Sequence, residues 1–175
     1  MNLTLMEPGA RTAFTAESLP DHPLFEGMIG RHRHILAQCA MPANFEPGET
    51  IVETGEPANC FYLVIEGLIG LEFPSALSTL RVQTIGSGDI LGWSWLFSPY
   101  YWHFNAVAEL PTETIFLYGS RLRQECDRDR DFGYEMFKRM SGILIGRLHD
   151  TREKWIELAQ LTPPRQGAPA DYLLI

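Results

Sequence analysis

The sequence predicts a mainly β fold with flanking helices, and three observations predict it. Between Phe45 and Leu117, short β-rich runs alternate with Gly- and Pro-containing turns, the pattern of a sandwich or barrel. Before them, apolar residues recur at helical spacing. After them, a second helical period runs from about Asp131 to Leu161.

Residues 1–20 show no sustained period and read as an N-terminal arm. Phe25, Met28, Ile29, Ile35, Leu36 and Cys39 predict a short helical segment over 22–41, weakened by Gly27 and Gly30. The β-barrel region is expected over 43–118. Its strands are Thr50–Val52, Cys60–Ile65, Leu68–Phe73, Leu80–Ile85, Ile90–Leu91, Phe104–Ala108 and Thr114–Leu117. C-terminal helices are expected over 120–161. Ser120 is the expected N-cap of a short helix through Cys126. Asp129 or Asp131 is the expected start of a long one. In the long helix, Phe137, Met140, Leu144, Leu148 and Trp155 form a near-heptad seam, which predicts a homodimer through this helix. Gly142 and Gly146, four apart, would admit a neighbouring backbone or allow tight packing on the barrel. Pro163 and Pro164 end the helix, leaving 162–175 as a tail.

Composition narrows the function. The chain has 175 residues and a formal net charge of -8. An acidic surface argues against nucleic acid, whose binding needs basic groups to displace counterions. No run reaches the roughly 18 apolar residues of a membrane span, and the N-terminus has no secretory-signal pattern. Cys39, Cys60 and Cys126 are scattered, so they read as reduced thiols rather than a zinc site, and a cytoplasmic location is expected. His32 and His34, two apart on a helix, point in different directions and make a poor metal pair. No hydrolase, P-loop or zinc-protease motif is present. The expectation is no catalytic residue, no metal and no enzyme.

Three glycine-anchored motifs now carry a resemblance. Phe45-Glu46-Pro47-Gly48-Glu49-Thr50-Ile51 is one. Gly55-Glu56-Pro57-Ala58 with Phe61-Tyr62-Leu63-Val64-Ile65-Glu66-Gly67 is the second. Ile85-Gly86-Ser87-Gly88-Asp89-Ile90-Leu91-Gly92 is the third. Their order resembles the cyclic-nucleotide-binding domain family, which includes catabolite activator proteins, kinase regulatory subunits and gated channels. The resemblance covers about Leu24 to Leu161. It implies a double-stranded β-helix, or jelly-roll, barrel with a short N-terminal helical segment and a long C-terminal helix. It also implies a regulatory role and cyclic AMP or cyclic GMP as ligand.

The family grips its ligand with a phosphate-binding cassette. A glutamate there accepts from the ribose hydroxyl, an arginine neutralises the cyclic phosphate, and a small hydroxyl residue completes the cradle. Gly92–Ala108 aligns with that cassette without gaps. Trp93 stands at the glutamate position, Trp102 at the arginine position and His103 at the hydroxyl position. The expected ligand site is therefore Gly92, Trp93, Ser94, Trp95, Trp102, His103 and Phe104, in degenerate form. Losing one partner of a buried charge pair costs about 2–5 kcal/mol, which is roughly 30- to several-thousand-fold in affinity. Ordinary cyclic AMP binding is not expected.

Three readings of the aromatic cassette stay open. It is a plugged pocket in a protein-interaction module, a pocket for another planar effector such as haem held by His103, or a weak nucleotide site. No DNA-binding helix-turn-helix unit is expected after Leu161. The chain then acts through a second copy of itself or through another protein partner.

Overall fold

The computed structural model describes residues 14–74 and 79–161. The expected tail over 162–175 and the first part of the expected arm lie outside them. The chain divides into two compact units, Met1–Arg139 and Met140–Ile175.

Within the first unit, the described residues form eight strands: β1 (Ala40–Phe45), β2 (Thr50–Val52), β3 (Cys60–Glu66), β4 (Leu68–Pro74), β5 (Thr79–Gly86), β6 (Ile90–Leu91), β7 (Asn105–Ala108) and β8 (Thr112–Tyr118). One sheet has the order β1-β8-β3-β6 and the other β2-β7-β4-β5, and every pairing is antiparallel. This is the strand order of a jelly roll, as expected. The sheets do not close into a barrel, because no ladder joins one to the other.

Alternation along β3 separates two cores. Tyr62 and Val64 join Ile51, Ile69, Leu71, Ile85, Leu91, Ala106 and Ala108 in a buried cluster that draws on both sheets. Phe61 and Leu63, equally buried, belong to the opposite face of the same strand. Helix α2 (Gly119–Arg128) packs on β3 and β8, and α1 (Gly30–Gln38) packs on β1 and α2. Gly67 makes the sharp β3–β4 connection at φ 109°, and a β-carbon there would stand 2.6 Å from the Pro111 carbonyl oxygen. Only glycine fits.

Several expected boundaries change. The helix expected over 22–41 is a 3-10 turn at Pro23–Phe25 followed by α1, and Gly27 at φ 65° separates them. Ala40 and Met41 continue the helical period in sequence but lie in β1, paired with Leu117 and Phe116. Tertiary pairing outweighs local periodicity here. Pro42 is tolerated because β1 is an edge strand. Leu19, in the expected arm, is buried.

Ser120 is not an N-cap. Helix α2 starts at Gly119 and runs to Arg128, past the expected end at Cys126, with Tyr118 at the cap position and no side-chain cap bond. Asp129 closes α2 through its backbone and opens α3 (Arg130–Leu161) by accepting the Phe132 N–H at 3.1 Å. Among the described residues, no helix is long and apolar enough to cross a membrane.

Candidate functional site

The cassette follows β6. Gly92 takes φ 99°, and the chain then turns, with the Leu96 N–H donating to the Trp93 carbonyl at 3.1 Å. Its second half is zipped to the β2–β3 connection. The Ala58 N–H donates to the Tyr100 carbonyl at 2.7 Å, the Trp102 N–H to the Glu56 carbonyl at 2.9 Å, and the Gly55 N–H to the Trp102 carbonyl at 2.8 Å. Trp102 is thus held through both of its backbone polar groups.

The aromatic residues that look alike in sequence have different fates. The Trp102 indole is 3% exposed and is part of the core cluster that draws on both sheets. Its edge faces Phe104, with centroids 6.0 Å apart. A β-carbon at Gly92 would stand 2.5 Å from Cη2 of Trp102. Trp95 is fully buried and stacks on Phe61, on the other face of β3, at 4.8 Å and 12°. Room for it comes from Gly119, where a β-carbon would approach the Trp95 β-carbon to 2.8 Å.

Trp93 and His103 form a third group. Trp93 is half-buried, His103 is exposed, and their rings stack at 5.7 Å and 22°. Phe97 lies 6.4 Å from Trp93 and 6.1 Å from Phe137, at the start of α3. A ladder of rings therefore joins the cassette to that helix. Ser94 is buried, and Ser94 Oγ and Trp95 Nε1 have no hydrogen-bond partner among the described residues.

Of the expected site residues, Trp102 and Phe104 meet in the inter-sheet core with Gly92 behind them. Trp95 is drawn away to the other core, and the Trp93–His103 pair makes a separate stack. The seven residues do not line one pocket. Of the seam residues, Phe137, Leu148 and Trp155 are exposed, Leu144 is half-buried, and Met140 is buried within the single chain.

Arg123 contributes more than its sequence position implies. Its Nη1 donates to the Trp95 carbonyl, and its guanidinium lies 4.3 Å from the Tyr100 ring centroid. Tyr100 holds a left-handed φ of 61° there. The side chain clamps the cassette to α2. Nothing in the sequence argues for this role, because its partner is a carbonyl, which carries no sequence signature.

The site's surroundings carry little acid–base chemistry. Burial pushes the Cys60 thiol up to about 11 and that of Cys126 to about 11, so both are poor nucleophiles near neutrality. Burial also raises the Tyr62 hydroxyl and the Cys39 thiol. Among the described residues, no group of three or more His, Cys, Asp or Glu side chains is arranged to hold a metal.

The comparisons fit this geometry. A putative cyclic nucleotide-binding protein from Geobacter metallireducens GS-15 superposes with a TM-score of 0.66 at 23% identity, covering 73% of this chain and 93% of its own. A cyclic nucleotide-binding domain from Methylobacillus flagellatus KT gives 0.69 at 16% identity, over 81% and 79%. The regulatory subunit of a cAMP-independent protein kinase A from Trypanosoma brucei gives 0.52 at 20% identity, over 67% of this chain and 47% of that one. Curated protein sequences give no significant match. The sequence profile of the cyclic nucleotide-binding domain matches residues 42–129, half of the chain. By that match, the chain belongs to the cyclic nucleotide-binding domain family.

Proposed function

We propose that this is a non-enzymatic regulatory module whose nucleotide pocket is filled by its own side chain. The observation that carries this reading is the Trp102 indole, buried in the core that draws on both sheets, at the position where the family places its phosphate-binding arginine. An indole there carries no charge to neutralise a phosphate. The Trypanosoma brucei regulatory subunit, described as cAMP-independent, supports the idea that this fold serves regulation without that ligand.

A plugged module acts through its surfaces. Helix α3 exposes Ile145, Leu148, Trp155 and Leu158, each more than half exposed. Apolar side chains so displayed along one helix suit a second copy of the helix, so the proposed assembly is a homodimer, working in the cytoplasm on a protein partner.

Removing the plug tests the reading. Trp102→Ala should open a cavity large enough for a small planar molecule, so added indole should raise its thermal midpoint while leaving the unaltered protein unchanged. A variant indifferent to indole would indicate that Trp102 fills no ligand-sized space.

A further inference from the structure

A buried histidine lies away from the cassette. His22 is 6% exposed and stands at the head of the 3-10 turn. Its Nδ1 accepts the Leu24 N–H at 3.1 Å, and its Nε2 lies 3.1 Å from the Asp89 carbonyl oxygen. A carbonyl only accepts, so Nε2 carries the proton and Nδ1 is the bare nitrogen of a neutral imidazole. Both ring nitrogens are committed in that tautomer alone.

These two bonds place the strap Pro23–Glu26 between two other elements. On one side is the β5–β6 turn, whose Asp89 is followed directly by β6 and the cassette. On the other is Arg139 of α3. Its Nη1 donates to the carbonyls of Leu24 and Glu26, each at 2.8 Å, while Glu135 holds its other nitrogens. The chain of contacts runs from the cassette approach through Asp89, His22, Leu24 and Arg139 into α3.

We propose that His22 is a proton-operated catch: protonation at Nδ1 expels the Leu24 N–H, frees the strap and loosens its hold on Arg139. Two donors cannot face each other, so the Leu24 bond is lost when Nδ1 gains a proton. His22 borders an open groove of about 490 Å³ lined also by Asp21, Phe25, Glu26, Met28 and Arg33, which gives a proton a way in. Asp21, Glu26 and Arg33 line the groove beside the ring, Asp89 meets it from the β5–β6 turn, and Arg139 of α3 reaches the strap carbonyls. The Asp89 carboxylate is engaged by the Gly86 N–H at 2.8 Å. Burial holds the His22 ring below its ordinary value, against the opposing pull of Asp89. The input of this module is then acidification, which needs no cassette ligand.

The test is a pH titration followed by NMR on the whole chain. The His22 ring nitrogens should show the Nε2–H tautomer near neutrality. As the ring titrates, the Leu24 amide should lose about fivefold or more in exchange protection, the scale of a lost cap bond. The Arg139 Nε resonance should move with the same midpoint. His22→Asn keeps a cap acceptor without a titrating ring, so its Leu24 protection should stay flat with pH. Leu24 protection that survives ring protonation, an Arg139 signal that ignores it, or the same acid loss in His22→Asn would each overturn the proposal. Should His22→Asn fail to fold, the ring and amide titrations of the unaltered protein decide the matter by themselves.

Discussion

Gly92 and Trp102 fit one another in a way that leaves no spare atom: Gly92 sits at φ 99°, and a β-carbon on it would come within 2.5 Å of Cη2 and 2.7 Å of Cζ3 of the indole. Both the backbone conformation and the space require glycine. Gly92→Ala should therefore destabilise the protein by about 2–4 kcal/mol, combining left-handed strain with overpacking. Urea denaturation measures it. An unchanged midpoint would show that the indole does not press on Gly92.

The Arg123 clamp predicts a smaller, local effect. Arg123→Ala removes a charged hydrogen bond to the Trp95 carbonyl and the stack on Tyr100. The side chain is partly exposed, so the expected loss is about 1–2 kcal/mol. Hydrogen exchange should localise the loosening to residues 95–100. A uniform change across both sheets would show that Arg123 supports the fold at large and has no special hold on the cassette.

Leu148 tests the proposed dimer. It is 66% exposed on α3, so Leu148→Asp disturbs little within one chain. Light scattering should find the unaltered protein as a dimer and the variant as a monomer with the same circular dichroism. A variant that remains dimeric places the interface elsewhere.

Stability should fall on mild acidification. Burial lowers the His22 pKa in the folded protein. The unfolded chain then binds that proton more readily, so stability is complete above the ordinary value of about 6.5 and declines below it. Denaturation midpoints measured from slightly alkaline to mildly acid pH should show this slope, and His22→Asn should reduce it. Equal slopes in the two proteins would assign the acid sensitivity to another group.

The strands were legible because turn chemistry and strand alternation agree along 45–117: each glycine-anchored motif marks a corner that the structure contains. Helix boundaries were less so. Ala40 and Met41 keep the helical period of α1, and only the distant partner strand β8 takes them into β1. Closure was overestimated, since the seven strands legible in the sequence serve a barrel or two separate sheets equally well. At the site, the sequence identified the two substituted positions, Trp93 and Trp102. It could not say that Trp95 turns to the other face of β3, because that depends on the space left by Gly119, far along the chain. Arg139 was invisible for a related reason: its acceptors are main-chain carbonyls of residues 24 and 26, which any sequence would supply.

The most direct test of the central claim is a thermal-unfolding titration of the unaltered protein with cyclic AMP and cyclic GMP up to millimolar concentration. A site saturated at about 100 times its dissociation constant adds roughly 2.7 kcal/mol, a shift of about 5–10 °C for a domain of this size. A pocket filled by Trp102 predicts no shift with either nucleotide. A shift of that size at tens of micromolar ligand would contradict it, showing that the cassette still binds a cyclic nucleotide with the indole in place or displaced.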